Sequence, residues 1–212
     1  MSTLRKRQVD ELGLARTKFS RWSTSPRWQT AERRALGDAL RFPYIMNYVD
    51  WLERTAPGFT HLDEHERQAI LHFALLWSLF EARALRENAS AQAILHLVQT
   101  REAEGRLNAG EFDASLRYFR QRYFANGGFT DYFQGLHFRK NDHQQMVQEV
   151  LSGQSQIPAA CVASLLILVY RLRNNLFHGL KWAYGIQGQR ENFEHANAAL
   201  VVAINQLSEY GG

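Results

Sequence analysis

The sequence predicts an all-α protein, an up-and-down helical bundle with a helical extension at its N-terminus. Three observations predict it. Apolar residues recur at three- and four-residue steps over long segments, the period of a helix face. Helix-start residues, Asp63, Ser90 and Pro158, stand ahead of three of those segments. No stretch sustains strict apolar–polar alternation between hairpin turns.

Taken in order, residues 1–22 place Leu4, Val9, Leu12 and Phe19 in loose helical period, and STSP at 23–26 breaks the run. A helix from about Trp28 runs toward Pro43, and Tyr44 to Arg54 continues it with Ile45, Tyr48, Val49 and Leu52 on one face. APGF at 56–59 is the clearest boundary in the chain, so residues 1–58 are read as a basic helical extension and 59–212 as the main helical domain. Asp63 and Glu66 form a capping pair. The helix behind them, to about Arg86, carries Ile70, Phe73, Ala74, Trp77 and Phe80, and is expected to pack on the helix that Pro158 opens. Ser90 caps a helix to about Glu104. Phe112 to Phe124 forms the next, ended by Asn126-Gly127-Gly128. Its LRYFRQRYF run mixes aromatic and basic residues, suited either to stacking bases and holding phosphates or, the plainer expectation, to a helix with Tyr and Phe inward and Arg outward. Asp142 starts a helix ending at Gly153. The last runs from about Gln189 to Tyr210, with Phe193, Ala196, Leu200, Val201, Ile204 and Leu207 facing inward.

Forty-five per cent of the 212 residues are hydrophobic, ample for a core. The single cysteine, Cys161, rules out an internal disulfide and reads as buried filler. Residues 1–60 carry eleven Lys or Arg against six Asp or Glu, and residues 61–212 fourteen against fifteen, so the basic excess lies in the N-terminal quarter. That excess suits either a polyanion-binding arm or a solvated one. No apolar segment follows the basic N-terminus, and the apolar run at 157–170 is too short to span a bilayer, so a cytoplasmic protein is expected. His61 and His65 have the four-residue spacing of a metal pair, but no HExxH and no third ligand accompany them, so no metal is expected. No phosphate-binding glycine loop, dinucleotide fingerprint, nucleophile elbow or zinc finger is present, and no cofactor is expected.

The chemistry concentrates in residues 158–182, PAACVASLLILVYRLRNNLFHGLKW. Val162, Leu165, Leu166, Val169, Leu172 and Leu176 share one helix face. A second face, through Ile167, Tyr170 or Arg171, Asn174 and His178, is apolar at its start and polar at its end. A helix apolar on two faces is buried on two sides, so a second surface, such as a partner subunit, is expected to cover it. Gly179 suits the residue just past the helix end. Of three Arg–x4–His spacings, Arg67 to His72, Arg173 to His178 and Arg190 to His195, only Arg173 to His178 has Asn next to Arg, an apolar run before it and Gly after it.

Arg173, Asn174 and His178 resemble the R-N-x-x-x-H signature of HEPN domains, helical domains found in many prokaryotic toxin and antiviral ribonucleases, and YRLRNNLFHGLK is similar to the Apea-like branch. About twenty residues carry the resemblance. It implies a metal-independent endoribonuclease, acting as a toxin or antiviral effector. A neutral His178 would move protons near neutral pH, Arg173 would offer its fork of donors to the phosphate, and Asn174 would orient His178 or bond a phosphate oxygen. The product would carry a 2′,3′-cyclic phosphate. The resemblance also implies a homodimer with a composite cleft built from two motifs, with Arg171 and Lys181 binding RNA backbone, and an antitoxin or activator protein as a further partner. Some HEPN members set an acidic residue from an early helix near the Arg–His pair. Glu81 lies on such a helix, although no spacing identifies it and a solvent-exposed glutamate is the plainer expectation. Two other readings stand beside this one. One is a non-catalytic HEPN-type module that pairs with a nucleotidyltransferase-like or other partner. The other is a nucleic-acid-binding helical protein that uses its basic N-terminal segment.

Overall fold

The computed structural model describes residues 47–56, 58–177 and 186–208. The helices expected over 1–22 and from Trp28 to Pro43 lie outside these residues, as do His178, Gly179 and Lys181. Within them the protein is all-α. The elements are α1 (Tyr48–Thr55), α2 (Glu64–Ala84), α3 (Ala91–Ala103), α4 (Asp113–Tyr123), β1 (Phe124–Ala125), β2 (Gly128–Phe129), α5 (Asp131–Gln134), α6 (Gln144–Leu151), α7 (Pro158–Phe177) and α8 (Arg190–Leu207), with short 3-10 turns at Phe59–His61 and Ala109–Phe112. The compact unit that holds the core begins at Leu52, inside α1. No residue of α1 is buried.

The expected start signals operate where they fall. Asp63 caps α2, its Oδ1 accepting from the Glu66 N–H at 2.7 Å. The reciprocal half of the capping box is absent: Glu66 is buried and its Oε1 instead accepts from the Gln189 N–H at 3.1 Å, tying the start of α2 to the turn before α8. Ser90 Oγ accepts from the Ala93 N–H at 3.1 Å and caps α3. Pro158 is the first residue of α7, where its missing N–H costs nothing. Asp142 does not start α6: its carboxylate accepts from the Arg139 N–H at 2.7 Å and faces Arg171, and the helix begins two residues later behind His143. A two-residue hairpin follows α4, with Asn126 and Gly127 both at positive φ, 52° and 77°, as a type I′ turn requires.

α7 runs through the middle of the bundle. Every residue from Val162 to Val169 is buried. α3 and α6 are its principal partners, with α4 and α8 adding contacts. The second apolar face is therefore covered by this chain itself, and no partner subunit is needed to bury it. At 20 residues α7 extends well past residue 170 and is long and apolar enough, by length and composition alone, to cross a bilayer; here it is the core helix of the bundle. α2 packs chiefly on α8, not on α7 as its apolar face suggested. The α2–α8 seam includes the Phe73–Phe193 ring contact at 5.0 Å. Val201, expected inward, is 45% exposed, while Phe193, Ala196, Leu200, Ile204 and Leu207 of the same helix are buried.

Candidate functional site

The last two turns of α7 sort their polar side chains onto different sides of the helix. Arg171 and Asn175, one turn apart, reach the segment after α5. The Arg171 Nε donates to the Leu136 carbonyl at 3.1 Å and its Nη2 to the His137 carbonyl at 2.6 Å. Its Nη1 pairs with Asp142 Oδ2 at 3.0 Å. Asn175 Nδ2 donates to the Gly135 carbonyl at 2.9 Å. Three consecutive carbonyls are thus satisfied by one helix, which fixes residues 135–142 against it. Arg171, expected to bind RNA backbone, is 3% exposed with its donors turned inward, so it holds the fold together here instead of facing a ligand. Burial pushes its guanidinium pKa below the ordinary value, and Asp142 opposes that shift.

Arg173 points to another side, toward α2. Its Nη1 donates to Asn174 Oδ1 at 3.1 Å, and its Nη2 lies 3.4 Å from Glu81 Oε2. The guanidinium carbon sits 5.7 Å from the centroid of Trp77 and 5.4 Å from that of Phe177. Trp77 Nε1 donates to the same Glu81 oxygen at 2.7 Å. One carboxylate therefore anchors an indole and a guanidinium together. The Arg173 side chain remains 28% exposed and Phe177 is 54% exposed, so the cluster opens to solvent at the end of α7. A guanidinium held in this way keeps a fixed orientation toward an incoming anion, because its stem and one edge are already constrained. Asn174 is 3% exposed and bonds Arg173. His178 and Lys181 lie outside the described residues.

Glu81 is the residue that sequence reasoning left unassigned. It is only partly exposed and meets Arg173 across 92 positions of sequence. No spacing rule links the two, and Trp77, which completes the cluster, carries no signal beyond its place on the apolar face of α2. Two crevices, of about 360 and 310 Å³, lie between α2 and α3 and beside Cys161, and neither is lined by Arg173 or Asn174. Burial pushes the Cys161 thiol pKa up. Among the described residues no group of three or more His, Cys, Asp or Glu is placed to hold a metal ion. No family model matches the chain, and neither a curated protein nor a solved structure matches it.

Proposed function

We propose that the chain is a metal-independent endoribonuclease of HEPN type, with its site at the motif Arg173, Asn174 and His178. The observation that carries the reading is Arg173: a partly exposed guanidinium at the end of a buried helix, held by Asn174 and Glu81 and near the rings of Trp77 and Phe177. In the proposed reaction His178 takes the proton from a ribose 2′-hydroxyl, and the 2′-oxygen attacks the adjacent phosphorus. The bond from phosphorus to the 5′-oxygen breaks, and a proton is returned to that oxygen. Arg173 stabilises the charge on the phosphoryl oxygens through its paired donors. The products are a 2′,3′-cyclic phosphate and a free 5′-hydroxyl. Asn174 and Glu81 act through Arg173 as positioning residues. Lys181 is kept as a backbone-binding residue, and Arg171 is left out because its donors are spent inside the fold.

A homodimer with a composite cleft remains part of the proposal on the strength of the sequence resemblance alone, since α7 is covered within its own chain. A toxin or antiviral role, restrained by an antitoxin or released by an activator, follows from the same resemblance. One observation favours a second reading. Arg173 is already paired with a carboxylate, which suits a non-catalytic module whose motif braces the helix end.

The deciding experiment is incubation of purified protein with total RNA in excess EDTA, beside His178→Ala. The ribonuclease reading expects cleavage by the parent alone and cyclic-phosphate ends. Equal cleavage by both removes His178 from the reaction and overturns this site, and cleavage by neither overturns the reading in favour of the binding module.

A further inference from the structure

The segment that Arg171 and Asn175 clamp presents a different surface to solvent. Its carbonyls face α7, while His137, Arg139 and Lys140 are exposed. His137 holds a left-handed φ of 51°, with its carbonyl fixed by Arg171 Nη2. Among the described residues neither Arg139 nor Lys140 forms an ion pair. Just before this segment stands Tyr132, 61% exposed, with the Arg122 guanidinium carbon 4.3 Å from its ring centroid. Tyr132 and Arg122 share a shallow crevice with Gly135, Leu136 and Leu172. In the LRYFRQRYF helix Phe119 and Tyr123 are buried and Arg117 is exposed, as the plain pattern expects, but Arg120 turns inward and its Nη2 donates to the Val150 carbonyl at 2.8 Å. Arg122 caps a ring the run does not contain.

Charge is concentrated here as well. From Ala114 to Asn141 the chain has five Arg or Lys against one acidic residue, Asp131, although residues 61–212 as a whole carry slightly more acid than base. Of these five, Arg117, Arg139 and Lys140 are exposed, Arg122 caps Tyr132, and Arg120 turns inward to the Val150 carbonyl.

We infer that Arg122, Tyr132, His137, Arg139 and Lys140 form a docking platform for a single strand of nucleic acid. The inference rests on the ribonuclease reading only for the identity of that strand as RNA. An exposed ring backed by a guanidinium is a stacking surface for any base, and exposed cations on a clamped backbone beside it suit phosphates. The clamp by Arg171 and Asn175 supplies the rigidity, so ordering the segment costs little when the strand arrives.

The test is fluorescence anisotropy of a labelled single-stranded RNA with the His178→Ala chain at several salt concentrations. The comparison is with the same chain carrying Tyr132→Ala, Tyr132→Phe, or Arg139→Gln with Lys140→Gln. Loss of one stacked base predicts a weakening of roughly tenfold for Tyr132→Ala, with Tyr132→Phe near the parent. Loss of two phosphate contacts predicts a salt dependence shallower by about 1.4 in log–log slope. Parental affinity and slope in all variants, or no binding by the parent, overturns the platform. Parallel cleavage assays with His178 intact separate the two ideas. Unchanged KM in Tyr132→Ala with active cleavage removes the platform and leaves the nuclease. Variant-sensitive binding without any cleavage removes the nuclease and leaves the platform.

Discussion

Asp142 Oδ2 lies 3.0 Å from Arg171 Nη1, and neither side chain is more than 9% exposed. This pair is the electrostatic lock between the motif helix and the 135–142 segment. Asp142→Ala leaves the guanidinium buried without its counter-charge, and the expected loss is about 3–5 kcal/mol in urea unfolding. Replacing both partners with apolar residues of similar volume is expected to cost less than the single change. A single substitution that costs less than about 1 kcal/mol would show that the pair is not sealed from water.

Asp63 gives the pH prediction. The Glu66 N–H bonds its carboxylate and holds its pKa below the ordinary 3.8. A group with a depressed folded-state pKa stabilises the fold above its unfolded value, and that contribution is lost as pH falls through the lower folded value. The urea midpoints of the parent and Asp63→Ala should therefore differ at neutral pH and converge below about pH 3.8. Midpoints separated equally at all pH values would contradict the cap.

Glu81 offers a way to separate packing from chemistry. Glu81→Ala strands the buried Trp77 indole donor and frees Arg173, at an expected cost of about 1–2 kcal/mol. Glu81→Gln keeps an acceptor for the indole but removes the charge beside Arg173, so its stability should fall less. Under the ribonuclease reading both variants lose cleavage, and Glu81→Gln loses more activity than its unfolding curve explains. Equal stability of the parent and Glu81→Ala would detach Glu81 from the cluster.

Ser164 is wholly buried in α7, and its Oγ has no hydrogen-bond partner among the described residues. Ser164→Ala removes an unsatisfied hydroxyl from the core and improves helix propensity. A gain of about 1 kcal/mol is expected, read as a higher urea midpoint with an unchanged slope. A loss of stability would mean that the hydroxyl has a partner.

The helices were legible because their signals are local. Asp63, Ser90 and Pro158 mark starts that the fold uses, and the periodic runs behind them are buried. Pairing was not legible. The face of α2 that carries Phe73 and Trp77 fits any apolar surface, and only the assembled bundle selects α8. The two-sided burial of α7 was readable, but amphipathicity does not say whose atoms provide the cover. The Asn126-Gly127 hairpin carried a recognised turn signal, with too little strand on either side to register as alternation. Arg171 looked like a free cation beside the motif. Its role depends on carbonyls more than thirty residues away, and nothing in its neighbours in sequence announces them.

Every position from Val162 to Val169 is interior, so this stretch of α7 has no local way to melt. Its amides belong with the slowest class of hydrogen exchange, which opens only when the whole bundle does. Under the ribonuclease reading, a cover laid over the exposed Arg173 and Phe177 would silence the site without unfolding that stretch. The buried stretch beneath them would stay ordered with the cover on or off.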